Sequence, residues 1–417
     1  MTPNEEQAAA ISTMLQHAKT TGDDPFFKLE GPAGTGKTFT TKFMMREYKR
    51  RTLFTAPTNK AVRVLREALK DDNYRPEART IYSALGLQML PNGEVKELRK
   101  REEEVDLSDY HLIVVDEAFM VNKVLMQHIR VAAENYPRIR WIFMGDSYQL
   151  PPVGEADSPV SELTKGAKLI TVMRQDNQIL TLATRLRGMV ERPFGQLRLE
   201  DDNDGEEGVW TMAGGRLDQA ILNQAESFRS GESKAIAWRN AEVDRLNALI
   251  RQELFAESLT YPWQPGDRIT LLGPVKDLEG EPIGTTDEEG TVEKCDRADH
   301  PVHGLACYRI VMRSDMNSSM TLWVLHPSMK NKFEYRKARL AETARAAPKA
   351  WGEFWEFVEA FHPVRHAYAI TAHRAQGSTY HRAFVSWRDI LLNRNRAEAM
   401  RCLYVGATRP KKELYLG

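Results

Sequence analysis

Residues 31–38, Gly31-Pro32-Ala33-Gly34-Thr35-Gly36-Lys37-Thr38, fit the pattern G-x-x-x-x-G-K-[ST]. Glycines at this spacing let backbone N–H groups curl around phosphate oxygens. A helix opening at the lysine adds the partial positive charge of its N-terminus. Lys37 is suited to neutralise β- and γ-phosphates, and Thr38 to ligate Mg²⁺. A second pair of residues complements this loop. Asp116-Glu117 ends the apolar run Leu112–Val115, and a carboxylate at the C-terminal end of a parallel strand lies beside a phosphate crevice. Asp116 is then the second holder of Mg²⁺ and Glu117 the base for an attacking water. A transferase acting on a hydroxyl would not need Glu117 at that place, so hydrolysis is the expected chemistry. Gly145-Asp146-Ser147-Tyr148-Gln149-Leu150-Pro151-Pro152 closes the next apolar run, and Gln149 can hydrogen-bond both a γ-phosphate and water.

The elements that must hold these residues are short apolar strands alternating with helices. Phe26–Leu29, Leu53–Ala56, Leu112–Val115 and Trp141–Met144 are near-continuous apolar runs, the mark of parallel strands buried on both faces. Asn4 is a good N-cap for an opening helix whose Ala8, Ile11, Leu15 and Ala18 share a face. Pro91-Asn92-Gly93 between Leu87, Met89, Leu90 and Val95 predicts a β-hairpin, followed by a charged helix around 97–104. The acidic run Glu200–Glu207 reads as a solvated loop. A second α/β unit starts near Ala235, with Asn240 capping a helix. Short strands from Gly266 to Val324 predict a small inserted β-barrel. Ala369–Thr371, Ala383–Ser386 and Leu414–Leu416 resume the α/β pattern.

Composition bounds the class. The chain has 417 residues, 42% hydrophobic and 28% charged, so a folded core is expected and disorder or collagen-like structure is not. No apolar run reaches the roughly 18–20 residues of a membrane span, and the N-terminus shows no signal peptide. The three cysteines, Cys295, Cys307 and Cys402, form no C-x-x-C pair, which points to a reducing cytoplasm. Net charge is zero and says nothing about partners.

Two further groups stand out. Cys295, His300, His303 and Cys307 supply four zinc-type ligands, though not at a standard finger spacing; a turn between barrel strands explains them equally. Lys330 to Arg345 carries six basic residues against two acidic, with Phe333 and Tyr335 between them. It reads as a DNA-facing patch or a solvated helix face.

Taken in order, the motifs resemble those of superfamily 1 helicases, in the RecD-like branch of RecD/Dda type. Asn4–Gln7 resembles the adenine-reading Q motif and residues 31–38 motif I. Ala56–Ala61 resembles motif Ia, Thr80–Ser83 motif Ib, Asp116–Ala118 motif II and Gly145–Pro152 motif III. Val172-Met173-Arg174 resembles motif IV, Ala369–Ser378 motif V and Leu403–Arg409 motif VI. Trp351-Gly352-Glu353-Phe354-Trp355, followed by Phe361, carries the branch-specific likeness. Helical phase puts Trp351, Phe354, Trp355, Val358 and Phe361 on one face, mostly core. Departures are Asn59 where His is frequent, Arg374 where Lys is common, and no aromatic between Leu87 and Val105.

The resemblance implies an α/β fold of two RecA-like P-loop NTPase domains with parallel sheets. Domain 1 comprises 1–85 and 108–180, interrupted by a pin hairpin at 86–107. Domain 2 comprises 181–262 and 364–417, interrupted by an SH3-like barrel and helical extension at 263–363. It implies ATP held by Gln7, Gly31, Gly34, Thr35, Gly36, Lys37, Thr38, Gln376 and Gly377, with Mg²⁺ on Thr38 and Asp116. Arg174 and Arg409 would be arginine fingers. Pro57, Thr58, Ser83, Thr371 and His373 would hold single-stranded DNA, and Met89, Leu90 and Pro91 would form the pin. The expected activity is ATP-dependent 5′-to-3′ unwinding of tailed duplexes by a cytoplasmic monomer, with a single-strand-binding protein as a candidate partner. An ATP-switched strand-binding protein that unwinds nothing, and an RNA helicase, are the alternatives.

Overall fold

The computed structural model describes residues 2–20, 22, 24–70, 75–89, 95–97, 106–172, 178–193, 195, 197–213, 215–255 and 262–417. The chain divides into two compact units. The first comprises residues 1–211, 375–379 and 387–416; the second comprises 212–374, 380–386 and 417.

In the first unit the strands up to residue 168 are β1 (Phe26–Glu30), β2 (Thr52–Ala56), β3 (Ala78–Thr80), β4 (Leu87–Met89), β5 (Val95–Glu97), β6 (Leu112–Val115), β7 (Arg140–Gly145) and β8 (Gly166–Lys168). Six of them form a sheet in the order β3-β2-β6-β7-β1-β8, and every neighbouring pair is parallel. The apolar runs follow from this. Alternate residues point to opposite faces, and both faces are covered. Phe54, Leu112, Val114, Ile142 and Met144 pack on one side with Met14 and Met44. Leu53, Ile113, Val115, Trp141 and Phe143 pack on the other with Leu125 and Ile129.

Helix α1 (Glu5–Lys19) starts at the Asn4 cap, closed by a reciprocal capping box with Gln7. Its inward face is Gln7, Ala10, Ile11, Met14, Leu15 and Ala18. Ala8, assigned to that face from phase, is exposed, because the stripe's first-turn member is Gln7, one position earlier. Helices α2 (Lys37–Glu47) and α3 (Asn59–Leu69) follow β1 and β2. Strands β4 and β5 pair antiparallel, Leu87 opposite Glu97. The hairpin tip, including Leu90 and Pro91, lies outside the described residues, as do 98–105 of the expected charged helix; Glu97 itself is in a strand. The acidic segment is not a plain loop. Asp202–Asn203 pairs antiparallel with Gly208–Thr211, and Asp204 turns the chain by accepting from the N–H groups of Glu206 and Glu207.

In the second unit Ser233–Ala237 runs parallel to Ala369–Thr371 on one side and Tyr380–Val385 on the other. The helix Asn240–Leu254 has Arg239 at its cap position and no side-chain cap bond, so Asn240 is its first residue and not its cap. The residues expected to form a barrel make a five-stranded antiparallel sheet of Arg268–Leu271, Glu289–Asp299, Ala306–Ser314, Ser319–Leu325 and Val364–His366. Ile269, Leu271, Val292, Ile310, Met312 and Leu322 are its core. The opposite side carries Cys307, Phe357 and Phe361 with the helices Lys330–Ala346 and Trp351–Glu359. On the latter helix Phe354 and Phe357 are buried, while Trp351 is exposed. Only Ala344 is buried on Lys330–Ala346, so the basic segment is solvent-exposed, as a DNA-facing patch and a solvated face both require.

The antiparallel sheet is rooted by buried charge. Asp267, with no exposed surface, accepts from Arg251 Nε (2.8 Å) and Nη2 (3.0 Å), Gln264 N (2.9 Å) and Tyr368 OH (3.0 Å). Such a pair is tolerable in the interior only when the remaining lone pairs are satisfied, as they are here.

Candidate phosphate and metal site

The phosphate loop joins β1 to α2. Gly34 (φ 85°) and Gly36 (φ 81°) take left-handed conformations that a side chain would strain. A Cβ on Gly36 would also fall 2.6 Å from Gln7 Nε2. That amide donates to Thr35 O (3.1 Å) while its oxygen accepts from Asn4 N (3.2 Å). Gln7, expected to read a base, is therefore placed against the phosphate loop by its own capping box. Thr35 Oγ1 donates back to Pro32 O (2.9 Å). Lys37 Nζ donates to the loop carbonyls of Gly31 (2.6 Å) and Pro32 (3.0 Å). The ammonium thus lies folded on the loop it opens from. Among the described residues the half-buried Thr38 hydroxyl makes no hydrogen bond.

The carboxylates stand at the C-terminal end of β6. Asp116 Oδ1 accepts from Glu117 N (2.9 Å), and Glu117 has φ 49°. Both lie in the field of Lys37. Burial first, then the neighbouring Glu117 charge, pushes the Asp116 carboxyl up to about 7. Burial also raises Glu117, while Arg409 and Lys37 pull it down. Two carboxylates in so confined a place call for a cation. Gln149 is buried, and among the described residues its Oε1 has no hydrogen-bond partner. Buried polar atoms are rarely left so. The residues present therefore fit a phosphate-bound divalent cation and an ordered water.

The C-terminal segments complete this site. A Cβ on Gly377 would lie 3.9 Å from Glu117 Oε1, and Gln376 Nε2 donates to Leu150 O (3.1 Å). Arg409 is buried; it donates to Val405 O (3.1 Å), Ser378 O (3.2 Å), Ala375 O (3.5 Å) and Thr408 Oγ1 (2.9 Å). One guanidinium thus orders the 375–378 segment while its charge reaches Glu117. Arg174 lies outside the described residues.

The strand-contact candidates fall on both units. Pro57 is buried, and Thr58 caps α3 by accepting from Ala61 N (3.1 Å). Ser83 is exposed, one turn after β3. Each follows the C-terminal end of a parallel strand. In the second unit Thr371 ends the strand Ala369–Thr371 and accepts from Arg374 N (3.4 Å); His373 is half-buried in the turn that follows. Arg374 is clasped by Asp287 (Nε to Oδ1, 2.7 Å).

The four zinc-type residues do not form a site. Cys295 packs into one face of the antiparallel sheet and Cys307 into the cluster on the other. Cys307 Sγ donates to Leu305 O (3.3 Å), and His300 Nδ1 accepts from Val302 N and His303 N. Side-chain alternation along the strands sends the two thiols apart.

Sequence reasoning gave no role to Asp146, Arg401 or Tyr404. Arg401 Nη1 donates to Ser147 O (2.5 Å) and Gln149 O (2.7 Å). Tyr404 OH donates to Asp146 Oδ2 (2.7 Å). The i, i+3 spacing of Arg401 and Tyr404 on the helix Arg396–Ala407 was the available signal.

Comparison with known proteins agrees with this geometry. Residues 2–201 match the model of an AAA domain, and residues 366–416 that of a UvrD-like helicase C-terminal domain. The chain is 25% identical to the ATP-dependent DNA helicase Dda of Enterobacteria phage T4, over 93% of each chain. It is 24% identical to the uncharacterized protein R530 of Acanthamoeba polyphaga mimivirus, over 93% of this chain and 94% of that one. Among solved structures, Bacteroides Pif1 bound to single-stranded DNA superimposes with a TM-score of 0.54 at 15% identity, covering all of this chain and 92% of that one. At that identity the likeness shows the fold, an α/β arrangement with the parallel sheet of RecA-like helicase domains.

Proposed function

Because the chain belongs to the superfamily 1 helicases, we propose that it is an ATP-dependent DNA helicase that moves 5′ to 3′ on single strands and splits tailed duplexes. The observation that carries this is the half-buried Asp116–Glu117 pair, which shares one unit with the phosphate loop, Gln149 and Arg409. Lys37 leaves the loop carbonyls to neutralise the phosphates. Thr38 and Asp116 would hold Mg²⁺, which would screen charge on the phosphate oxygens. Glu117 takes the proton of the attacking water, Gln149 Oε1 orients that water, and Arg409, with Arg174, stabilises charge on the γ-phosphoryl oxygens. Gln7, Gly31, Gly34, Thr35, Gly36, Gln376 and Gly377 frame the nucleotide.

In the same reading, residues 1–85 with 108–180 and 181–262 with 364–417 are the two RecA-like domains. The hairpin at 86–107 is the pin, with Met89, Leu90 and Pro91 as its wedge. Residues 263–363 are the SH3-like subdomain with its helical extension. Pro57, Thr58 and Ser83, and separately Thr371 and His373, grip the strand. We place the protein in the cytoplasm as a monomer that meets strands coated by a single-strand-binding protein. Among the described residues no helix is long and apolar enough to cross a membrane.

The test is strand displacement on duplexes with a 5′ or a 3′ tail. Unwinding of the 5′-tailed substrate alone is expected. Intact duplexes despite DNA-stimulated ATP hydrolysis would overturn the unwinding step. Stronger stimulation by single-stranded RNA than by DNA would move the protein to the RNA helicases.

A further inference from the structure

We propose that Tyr404 is a positioning residue for nucleotide binding, which with Asp146 fixes the first half of the phosphate loop and holds the Asp146 charge away from the phosphates. The proposal rests on the reading of residues 31–38 as the ATP site.

The backbone donors of the loop divide into two halves. Gly31 N donates to Gly145 O (3.0 Å), and Pro32 has no N–H. Ala33 N is shared between Asp146 Oδ2 (3.1 Å) and Tyr404 OH (3.4 Å). The first half of the loop is therefore tied to the end of β7, while in the glycine-rich second half Thr35 N makes only a long bond to Pro32 O (3.4 Å), which leaves that half to cradle an anion. Asp146 is the hub of this tie. Its other oxygen accepts from Tyr148 N (3.0 Å), and only 1% of its surface is exposed.

A buried carboxylate beside a polyphosphate is a hazard, because like charges repel strongly where water is excluded. It must be locked by donors. The Tyr404 hydroxyl, also buried, is the side-chain donor in that lock, at 2.7 Å. Burial and the Asp146 charge push this hydroxyl well above its ordinary range, so it stays protonated and donates. Arg401, one turn earlier, pins the same helix to the carbonyls of Ser147 and Gln149. Tyr404 lies within the C-terminal family segment, and Ala33 and Asp146 within the N-terminal one. The phosphate loop is thus incomplete without a residue from the far end of the chain.

The test uses the full-length protein and the variants Tyr404→Phe, Asp146→Asn and the double variant. Readouts are steady-state ATP hydrolysis with saturating oligo-dT, binding of a fluorescent ADP analogue, and thermal melting to verify folding. Loss of one hydrogen bond to a charged group is worth roughly tenfold in affinity. Tyr404→Phe is expected to raise KM for ATP, and Kd for the analogue, about that much, with kcat falling less than about twofold. In the Asp146→Asn background, where no charge needs locking, the same change should have little effect. An unchanged KM in a folded Tyr404→Phe protein, or equal effects in both backgrounds, would overturn the proposal. A wild-type protein that binds the analogue but does not hydrolyse ATP would instead defeat the catalytic reading and leave the binding comparison intact.

Discussion

Acid should unfold the second unit through two buried imidazoles. His300 and His362 are 2% and 3% exposed, and each is held at about 4, burial being the leading cause. Geometry agrees, because each ring is fixed as an acceptor at Nδ1. His300 accepts there from Val302 N and His303 N, and His362 from Trp323 N (3.1 Å). Protonating Nδ1 breaks those bonds. His300 opposes charge on His362, and His303, stacked on His300 at 5.0 Å, opposes charge on His300. An unfolded histidine titrates near 6.5. The neutral rings therefore lend full stability above about pH 6.5, and this is lost as the pH falls towards 4. At pH 4.5 the linkage relation gives a loss of about 2.5 kcal/mol for each ring. The check is urea unfolding followed by tryptophan fluorescence at pH 7 and pH 4.5, comparing wild type with His362→Asn. The asparagine retains an acceptor for Trp323 N and cannot titrate. Wild type should lose about 2 kcal/mol more than the variant between the two pH values. Equal losses would refute the reasoning.

Four further outcomes follow from the same structure. Lys37→Ala should abolish ATP hydrolysis, and a variant with normal turnover would refute the phosphate-site assignment. Glu117→Gln should reduce kcat by roughly 10²–10⁴-fold, the usual worth of a positioned base, with nucleotide affinity largely kept. Asp267→Ala should destabilise the protein by about 3–5 kcal/mol in chemical denaturation, because it removes the fully buried carboxylate paired with the Arg251 guanidinium. Purified protein should contain no stoichiometric zinc by elemental analysis, and Cys295 and Cys307 should react as free thiols once unfolded.

Sequence showed most clearly what the backbone must do for itself. The apolar runs at β2, β6 and β7 are continuous because both faces are buried, so their parallel arrangement was readable. Gly34 and Gly36 announced a loop that needs left-handed residues. Long-range side-chain pairing was far less visible. Nothing local to Tyr404 says that its hydroxyl meets Asp146, 258 positions away. The zinc-type set failed for the converse reason. Cys295 and Cys307 are close along a hairpin, yet the alternation of strand side chains separates them onto opposite faces. Gln7 was singled out for a base, and its bond to Thr35 O depends on where α1 docks, which spacing does not encode.

The conformation of Glu117 has a consequence for how this enzyme can fail. At φ 49° the residue occupies a region that disfavours a side chain by about 1–2 kcal/mol and that glycine enters freely. Its half-buried carboxylate also lies beside another. Replacing it with glycine would relieve both penalties and leave a chain that folds at least as well and hydrolyses nothing. On the proposed mechanism, the fold thus exerts no restraint of its own on the residue that takes the proton of the attacking water. Loss of activity at this position should arrive as abundant, soluble, nucleotide-binding protein and not as misfolded chain, a product able to occupy substrate without turning it over.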